Sequence, residues 1–235
     1  MNLVLLLPED LAAPDFARLT GRRLAHVRGV HRATVGEDLA VGLLGGKMGM
    51  GRVLRLDDEA LELALTLDQV PPPKLPLTLL IALPRPKVLN RVVAAAASLG
   101  AARLVLLNAW KVEKAYWASP RMQPENLREQ LLLGLEQAKD TALPELRLAR
   151  LFRPFVEDEL PGLLAGGTGL LAHPGTGEPP PKVLVAPVTL AIGPEGGWIE
   201  AEVQSLLKAG LHPLDLGPRI LRTETALAAL VGKLF

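Results

Sequence analysis

The chain of 235 residues contains no cysteine. That absence excludes disulfides, thiolate zinc sites, iron–sulfur clusters and a cysteine nucleophile. Histidine is scarce too. The four residues, His26, His31, His173 and His212, offer little material for a His-rich metal site, and His173 and His212, each beside a proline at a strand end, read as structural. Charge of one sign is not in excess: 26 Lys+Arg against 25 Asp+Glu leave +1. Net charge therefore demands no partner, and any nucleic-acid surface has to be a local patch. No targeting signal is visible. The apolar run Leu3–Leu7 has no basic segment before it and no small-residue cleavage site after it, and it is far too short to span a bilayer. It reads as the first β-strand of a cytoplasmic protein with no membrane partner.

What is present is apolar material. Hydrophobic residues make up 49% and charged residues 22%, enough to bury a core in one large domain or in a medium and a small one. The seam is Pro71-Pro72-Pro73-Lys74-Leu75-Pro76, which cannot donate ladder hydrogen bonds and stays extended. Before it, short apolar segments at 39–44, 52–56 and 60–67 alternate with glycine and acidic turns, and a helix is expected over 15–24. This pattern predicts a small β-barrel over 1–70. After it, apolar strands (77–83, 103–107, 146–152, 168–172, 188–193, 211–216) alternate with helices (85–99, 124–139, 155–165, 199–209, from 223). That alternation predicts a parallel α/β sheet over 75–235.

Three glycine clusters separate on spacing. Gly45-Gly46-Lys47-Met48 fails as a P-loop, because Met48 stands where a Ser/Thr would hold Mg²⁺, so it reads as a hairpin turn. Gly167-Thr168-Gly169-Leu170-Leu171-Ala172 fits G-x-G-x-x-A but opens a strand, which gives a pyrophosphate no helix N-terminus. Gly193-Pro194-Glu195-Gly196-Gly197-Trp198 differs from both. It lies where a strand ends and a helix begins, where open α/β sheets bind ligands, and it is denser in glycine than a plain turn requires. A second polar bend, Leu216-Gly217-Pro218-Arg219-Ile220-Leu221-Arg222-Thr223-Glu224-Thr225-Ala226, leads from another strand end into the last helix, with Thr223 and Glu224 suited to its start.

Charge is segregated once. Between Asp15 and Glu37 the chain has no carboxylate but carries Arg18, Arg22, Arg23, His26, Arg28, His31 and Arg32, a pattern suited to RNA phosphates. A smaller basic–aromatic segment, Lys111, Lys114, Tyr116, Trp117 and Arg121, suits either stacking on unpaired bases or packing against a neighbouring element. No Ser-His-Asp order, zinc spacing or paired-carboxylate pattern stands out.

The two C-terminal motifs, in this order and about twenty residues apart, resemble the signature of the bacterial ribosomal RNA small-subunit uracil-N3 methyltransferase family, of the SPOUT class of trefoil-knotted methyltransferases. The front half agrees: His26, Val30, Arg32, Gly36 and Asp38 match the H-x₃-V-x-R-x₃-G-x-D of that family's N-terminal PUA-like barrel. The resemblance implies a knotted domain, a homodimer, 16S ribosomal RNA as partner (free or in the small subunit) and S-adenosylmethionine as cofactor. Residues implied at the cofactor are Leu171, Ile192, Gly193, Pro194, Gly196, Gly197, Leu216, Gly217, Ile220, Leu221, Thr223 and Ala226. Arg222, Glu195 and Glu224 are implied at the reacting groups, with Arg219 beside them, and Arg18, Arg22, Arg23, His26, Arg28 and Arg32 at the RNA.

Departures from the family pattern remove charge. Ala95 to Gly100 replaces K-x-x-E-L-G, Ala109-Trp110-Lys111 replaces E-R-S, and Asp140 stands where an arginine commonly follows the Glu136-Gln137 pair. The cofactor motifs are intact, whereas these losses leave open a different target nucleotide or a non-catalytic RNA-binding relative.

Overall fold

The computed structural model describes residues 2–31 and 33–235. It comprises two compact units. The first runs to Pro73 and also takes in Leu132–Leu143; the second is Lys74–Leu131 with Pro144–Phe235.

The first unit holds β1 (Val4–Leu6), β2 (Leu11–Ala13), β3 (Phe16–Leu19), α1 (Gly21–His26), β4 (Asp38–Leu43), β5 (Met48–Leu56) and β6 (Leu61–Gln69). The strands make one sheet in the order β1-β4-β5-β6-β3-β2, with β1 and β4 parallel and the other neighbours antiparallel. It curls into a half-barrel whose core includes Leu6, Leu19, Val27, Val41, Leu61 and Leu63. Alternation along β6, with Leu61, Leu63 and Leu65 inward, supplies one row of that core.

Two expectations are corrected here. Residues 15–24 are not one helix: Ala17 and Leu19 are buried while Arg18 is exposed, a period of two, and the helix starts only at Gly21. The Gly45–Gly51 run is not all turn either, because Gly49 and Gly51 lie inside β5. A Cβ on Gly49 would stand 1.9 Å from the Thr66 carbonyl oxygen, so this glycine marks a close backbone approach beside a register shift.

In the second unit the order is β7 (Leu75–Ala82), α2 (Pro86–Ser98), β8 (Ala101–Leu107), α3 (Lys114–Trp117), α4 (Pro124–Ala138), β9 (Glu145–Ala149), α5 (Phe152–Pro154), α6 (Leu160–Leu164), β10 (Thr168–Ala172), β11 (Val188–Ile192), α7 (Glu200–Lys208), β12 (His212–Leu214) and α8 (Thr223–Leu234). From Leu132 onward α4 belongs to the first unit. The strand expected at 146–152 stops at Ala149, and Phe152 opens a helical segment. The six strands are all parallel, in the order β12-β10-β11-β7-β8-β9.

Both faces of this sheet are covered, which is why β7 and β11 are apolar apart from the buried Thr78 and Thr189. Helix α2 lays Leu89, Val92, Val93, Ala96 and Ala97 inward; Pro86 starts it, and Gly100, at φ +74°, follows its C-cap Leu99. The connections from β7 and β11 leave in opposite directions, toward β8 and toward β12, so the carboxyl ends of these two neighbours form a topological switch point.

Candidate functional site

At the switch point lies a cleft of about 420 Å³, within the size range of small-molecule sites. Four strand ends feed it: Arg85 after β7, Ala172–Pro174 after β10, Ile192–Trp198 after β11 and Leu214–Thr223 after β12, with Ala226 and Leu230 of α8 closing one side. The two bends singled out in the sequence thus face one another across one cavity.

The glycines of the first bend have separate physical causes. A Cβ on Gly193 would come within 3.0–3.2 Å of the Trp198 indole, so this glycine makes room for the ring. On Gly196 it would meet the Lys111 side chain at 2.9 Å, and the Lys111 ammonium donates to the Gly196 carbonyl at 2.7 Å. Gly197, at φ +71°, closes the turn by donating its N–H to the Pro194 carbonyl.

Among the described residues, two residues that line this cleft each carry a buried side-chain nitrogen with no partner. The Nε1 of Trp198, a residue only 5% exposed and packed on Phe152 at 6.2 Å between ring centroids, donates to nothing; Nδ1 of His173 is likewise unpaired. A buried donor without an acceptor is costly, so such atoms mark where a ligand's polar groups can sit. His173 has the structural role its position suggests, its main-chain N–H continuing the β10–β12 ladder to the Leu214 carbonyl, and the residue also lines the cavity.

Of the implied cofactor residues, Ile192, Gly193, Pro194, Gly196, Gly197, Leu216, Gly217, Ile220, Leu221, Thr223 and Ala226 line the cleft; Leu171 is fully buried in β10 and does not. Arg222 and Arg219 line it as well. Glu195 also does, with one carboxylate oxygen taking the Arg85 main-chain N–H at 3.0 Å and its Nε at 3.3 Å. Glu224 lies off the cleft and pairs with Arg91 at 3.1 Å. Sequence reasoning missed Arg85 and Asp215 and read His173 as structural; the dipeptides His173-Pro174 and Leu214-Asp215, each at a strand end, were the available signals.

Asp215 ties the rim together. Its carboxylate accepts the N–H of Gly177 at 2.9 Å and of Gly217 at 2.8 Å, and those two main-chain donors hold it below the ordinary aspartate value. A depressed carboxylate contributes its stabilisation at neutral pH and loses it as pH falls through the lowered value, so this tie opens only in acid. Asp215→Ala is expected to speed amide exchange at Gly177 and Gly217 while leaving β10 and β11 protected, as read by hydrogen–deuterium exchange.

The arginine segment of the first unit is not a free cationic face. Arg18 faces Glu62 at 4.0 Å, Arg22 pairs with Glu136 at 3.2 Å, Arg23 with Asp10, and Arg28 with Asp58. His26 is also engaged, and Arg32 lies outside the described residues. Asp140 accepts the Ala142 N–H at 2.9 Å and is buried, which makes it a turn residue rather than a surface charge. Among the described residues no helix is long and apolar enough to cross a membrane, and no cluster of His, Asp and Glu could hold a metal ion.

Comparison with known proteins fits this geometry. A ribosomal RNA small subunit methyltransferase E of Treponema pallidum is 29% identical over 240 residues, covering 97% of this chain and 88% of its own. Its counterpart in Synechocystis is 28% identical over 216 residues, covering 88% and 69%. In fold, the chain matches the crystal structure of a ribosomal RNA small subunit methyltransferase E from Neisseria gonorrhoeae bound to S-adenosyl methionine, with a TM-score of 0.78 and 21% identity over 99% of this chain and 95% of that one. A family model described as an RNA methyltransferase domain matches residues 71–234, and the chain belongs to that family.

Proposed function

We propose that this protein transfers a methyl group from S-adenosylmethionine to N3 of a uridine in small-subunit ribosomal RNA. The observation that carries the reading is the meeting of the two C-terminal bends in one cleft at the switch point, with a buried, unpartnered indole N–H on one of its lining residues. The relatives' names supply the RNA, and the Neisseria structure the donor. The resemblance adds the trefoil knot, a PUA-like role for the first unit, a homodimer and a cytoplasmic setting.

The residues present fit such a donor. Ile192, Leu214, Leu216, Leu221, Ala226 and Leu230 form apolar walls for an adenine ring, while Trp198 Nε1 and His173 Nδ1 wait for polar atoms of the ligand. When bound, S-adenosylmethionine supplies a methyl already activated on a sulfonium, so the protein's tasks are alignment and removal of the N3 proton. Losing that proton spreads negative charge over the uracil oxygens. Arg222, on the cleft wall at the cap of α8, is the group in reach to stabilise it, aided by the positive end of the helix. Glu195, held on the rim by Arg85, is the cleft's acidic side chain nearest in role to a proton acceptor.

Titration calorimetry with S-adenosylmethionine tests the donor: saturable one-site binding is expected. Trp198→Phe keeps the ring over Gly193 and removes only the N–H, so affinity is expected to fall about fivefold, the effect of one hydrogen bond. Mass spectrometry of ribosomal RNA from a deletion strain tests the acceptor. The expected result is loss of one N3-methyluridine from the small-subunit RNA. Loss of a different methyl would keep the donor chemistry and move the specificity, and loss of none would overturn the enzymatic reading.

A further inference from the structure

The connection from β8 to α4, residues 108–123, is fastened at three points, one of them on the cleft's rim. The Trp110 main-chain N–H donates to the buried Glu202 carboxylate at 2.7 Å, Lys111 reaches the Gly196 carbonyl at the cleft's rim, and Arg121 donates to the Pro86 carbonyl at 3.0 Å. These ties hold the connection in place yet leave the Trp110 ring 79% exposed, far more than packing would explain for so large an apolar surface. Cations lie on and against the same connection: Lys114 is exposed, and exposed Arg150 lies over the Trp117 ring at 5.0 Å. Tyr116, half-buried, has its hydroxyl raised above the ordinary phenol value first by burial, then by its bond to Glu113 and by the charge of Glu195, which places it within electrostatic range of the rim.

Resting on the reading of the chain as an RNA methyltransferase, we infer that this connection is the seat for the unpaired RNA flanking the target nucleotide, with Trp110 stacking on a base and Lys114 and Arg150 meeting phosphates. An exposed aromatic held rigidly among cations is the combination that single-stranded RNA engages, because every base has a π-face and every linkage a charge. Arg18, Arg22, Arg23 and Arg28 of the first unit, by contrast, already face carboxylates. The surface therefore lies on the unit that carries the cleft.

Fluorescence anisotropy with an oligouridylate of about twelve nucleotides, within the span that single-strand binders cover, reads this seat directly. Trp110→Ala is expected to weaken binding about tenfold, the lower part of the range for one stacked base. Trp110→Phe should bind near the wild-type level and Trp110→Leu as weakly as the alanine variant, which separates stacking from mere apolar contact. Lys114→Ala and Arg150→Ala should each flatten the salt dependence by about one unit of slope. Unchanged affinity in Trp110→Ala, no binding by the wild type, or a loss explained by a change of oligomeric state in sedimentation would each overturn the inference, the last by making the face a contact between copies. Calorimetry with S-adenosylmethionine on the same variants should be unaltered. If the wild type takes no donor but the anisotropy pattern holds, the methyl-transfer reading falls and the RNA seat stands.

Discussion

Arg222→Ala is expected to lower the rate of methyl transfer by about 10²–10³-fold, the usual effect of removing one preorganised group from a developing anion. The residue caps α8 with extended backbone (φ −66°, ψ 152°) and lines the cleft beside Thr223, Ala226 and Leu230. It is exposed, so its charge is open to the RNA that enters there. The loss should appear in kcat, measured with saturating donor and RNA, while the affinity for S-adenosylmethionine by calorimetry stays within about threefold; that split marks a group acting in the transition state rather than in binding. Arg222→Lys should recover part of the rate, since it keeps the charge and loses the planar fork. A full rate in the alanine variant, or a loss confined to donor affinity, would move the role to Arg219 or Arg85, the other cations on the cleft.

Much of the second unit was legible because its signals are local. Leu77–Leu83 is apolar apart from Thr78 because β7 is covered on both faces, and α2 and α4 begin at Pro86 and Pro124, where a missing N–H costs nothing. The cleft was legible for the same reason: dense glycine after a buried strand is a short-range pattern. What escaped depends on partners distant in the chain. Arg18 to Arg32 looked like an unbalanced basic run because its carboxylates, at positions 10, 58, 62 and 136, lie outside the window. Leu132–Leu143 groups with the first unit although it follows in one helix from residues of the second, a division that no composition shift announces. The sequence places Trp198 in the first bend but hides the reason for Gly193, which is seen to accommodate its ring only in the fold, and Glu224 has a partner, Arg91, that lies 133 positions away.

Arg23→Ala should destabilise the first unit by about 3 kcal/mol, the lower end of the range for removing one partner of a buried ion pair. Both guanidinium nitrogens engage Asp10, with Nη2 at 2.7 Å from Oδ1, and Nη1 also donates to the Leu5 carbonyl at 3.2 Å. Asp10 is only 7% exposed and its carboxylate also accepts the Leu7 N–H at 2.7 Å, so truncating Arg23 strands a charge between β1 and β3 that water barely reaches. Arg28→Ala is the contrast. Its partner Asp58 is largely in solvent, and exposed pairs contribute about 0–1 kcal/mol, so the midpoint of urea denaturation should barely move. If the penalty comes mainly from the orphaned carboxylate, adding Asp10→Asn to Arg23→Ala should restore more of the lost stability than a sum of two damaging changes allows, the non-additivity expected of contacting residues. RNA affinity, compared where the variants are fully folded, should follow the opposite ranking. Arg28, half-exposed and loosely held, can exchange Asp58 for a phosphate, whereas Arg23 is committed to the interior. An Arg23→Ala protein as stable as the wild type would return that guanidinium to the surface and to the list of RNA contacts.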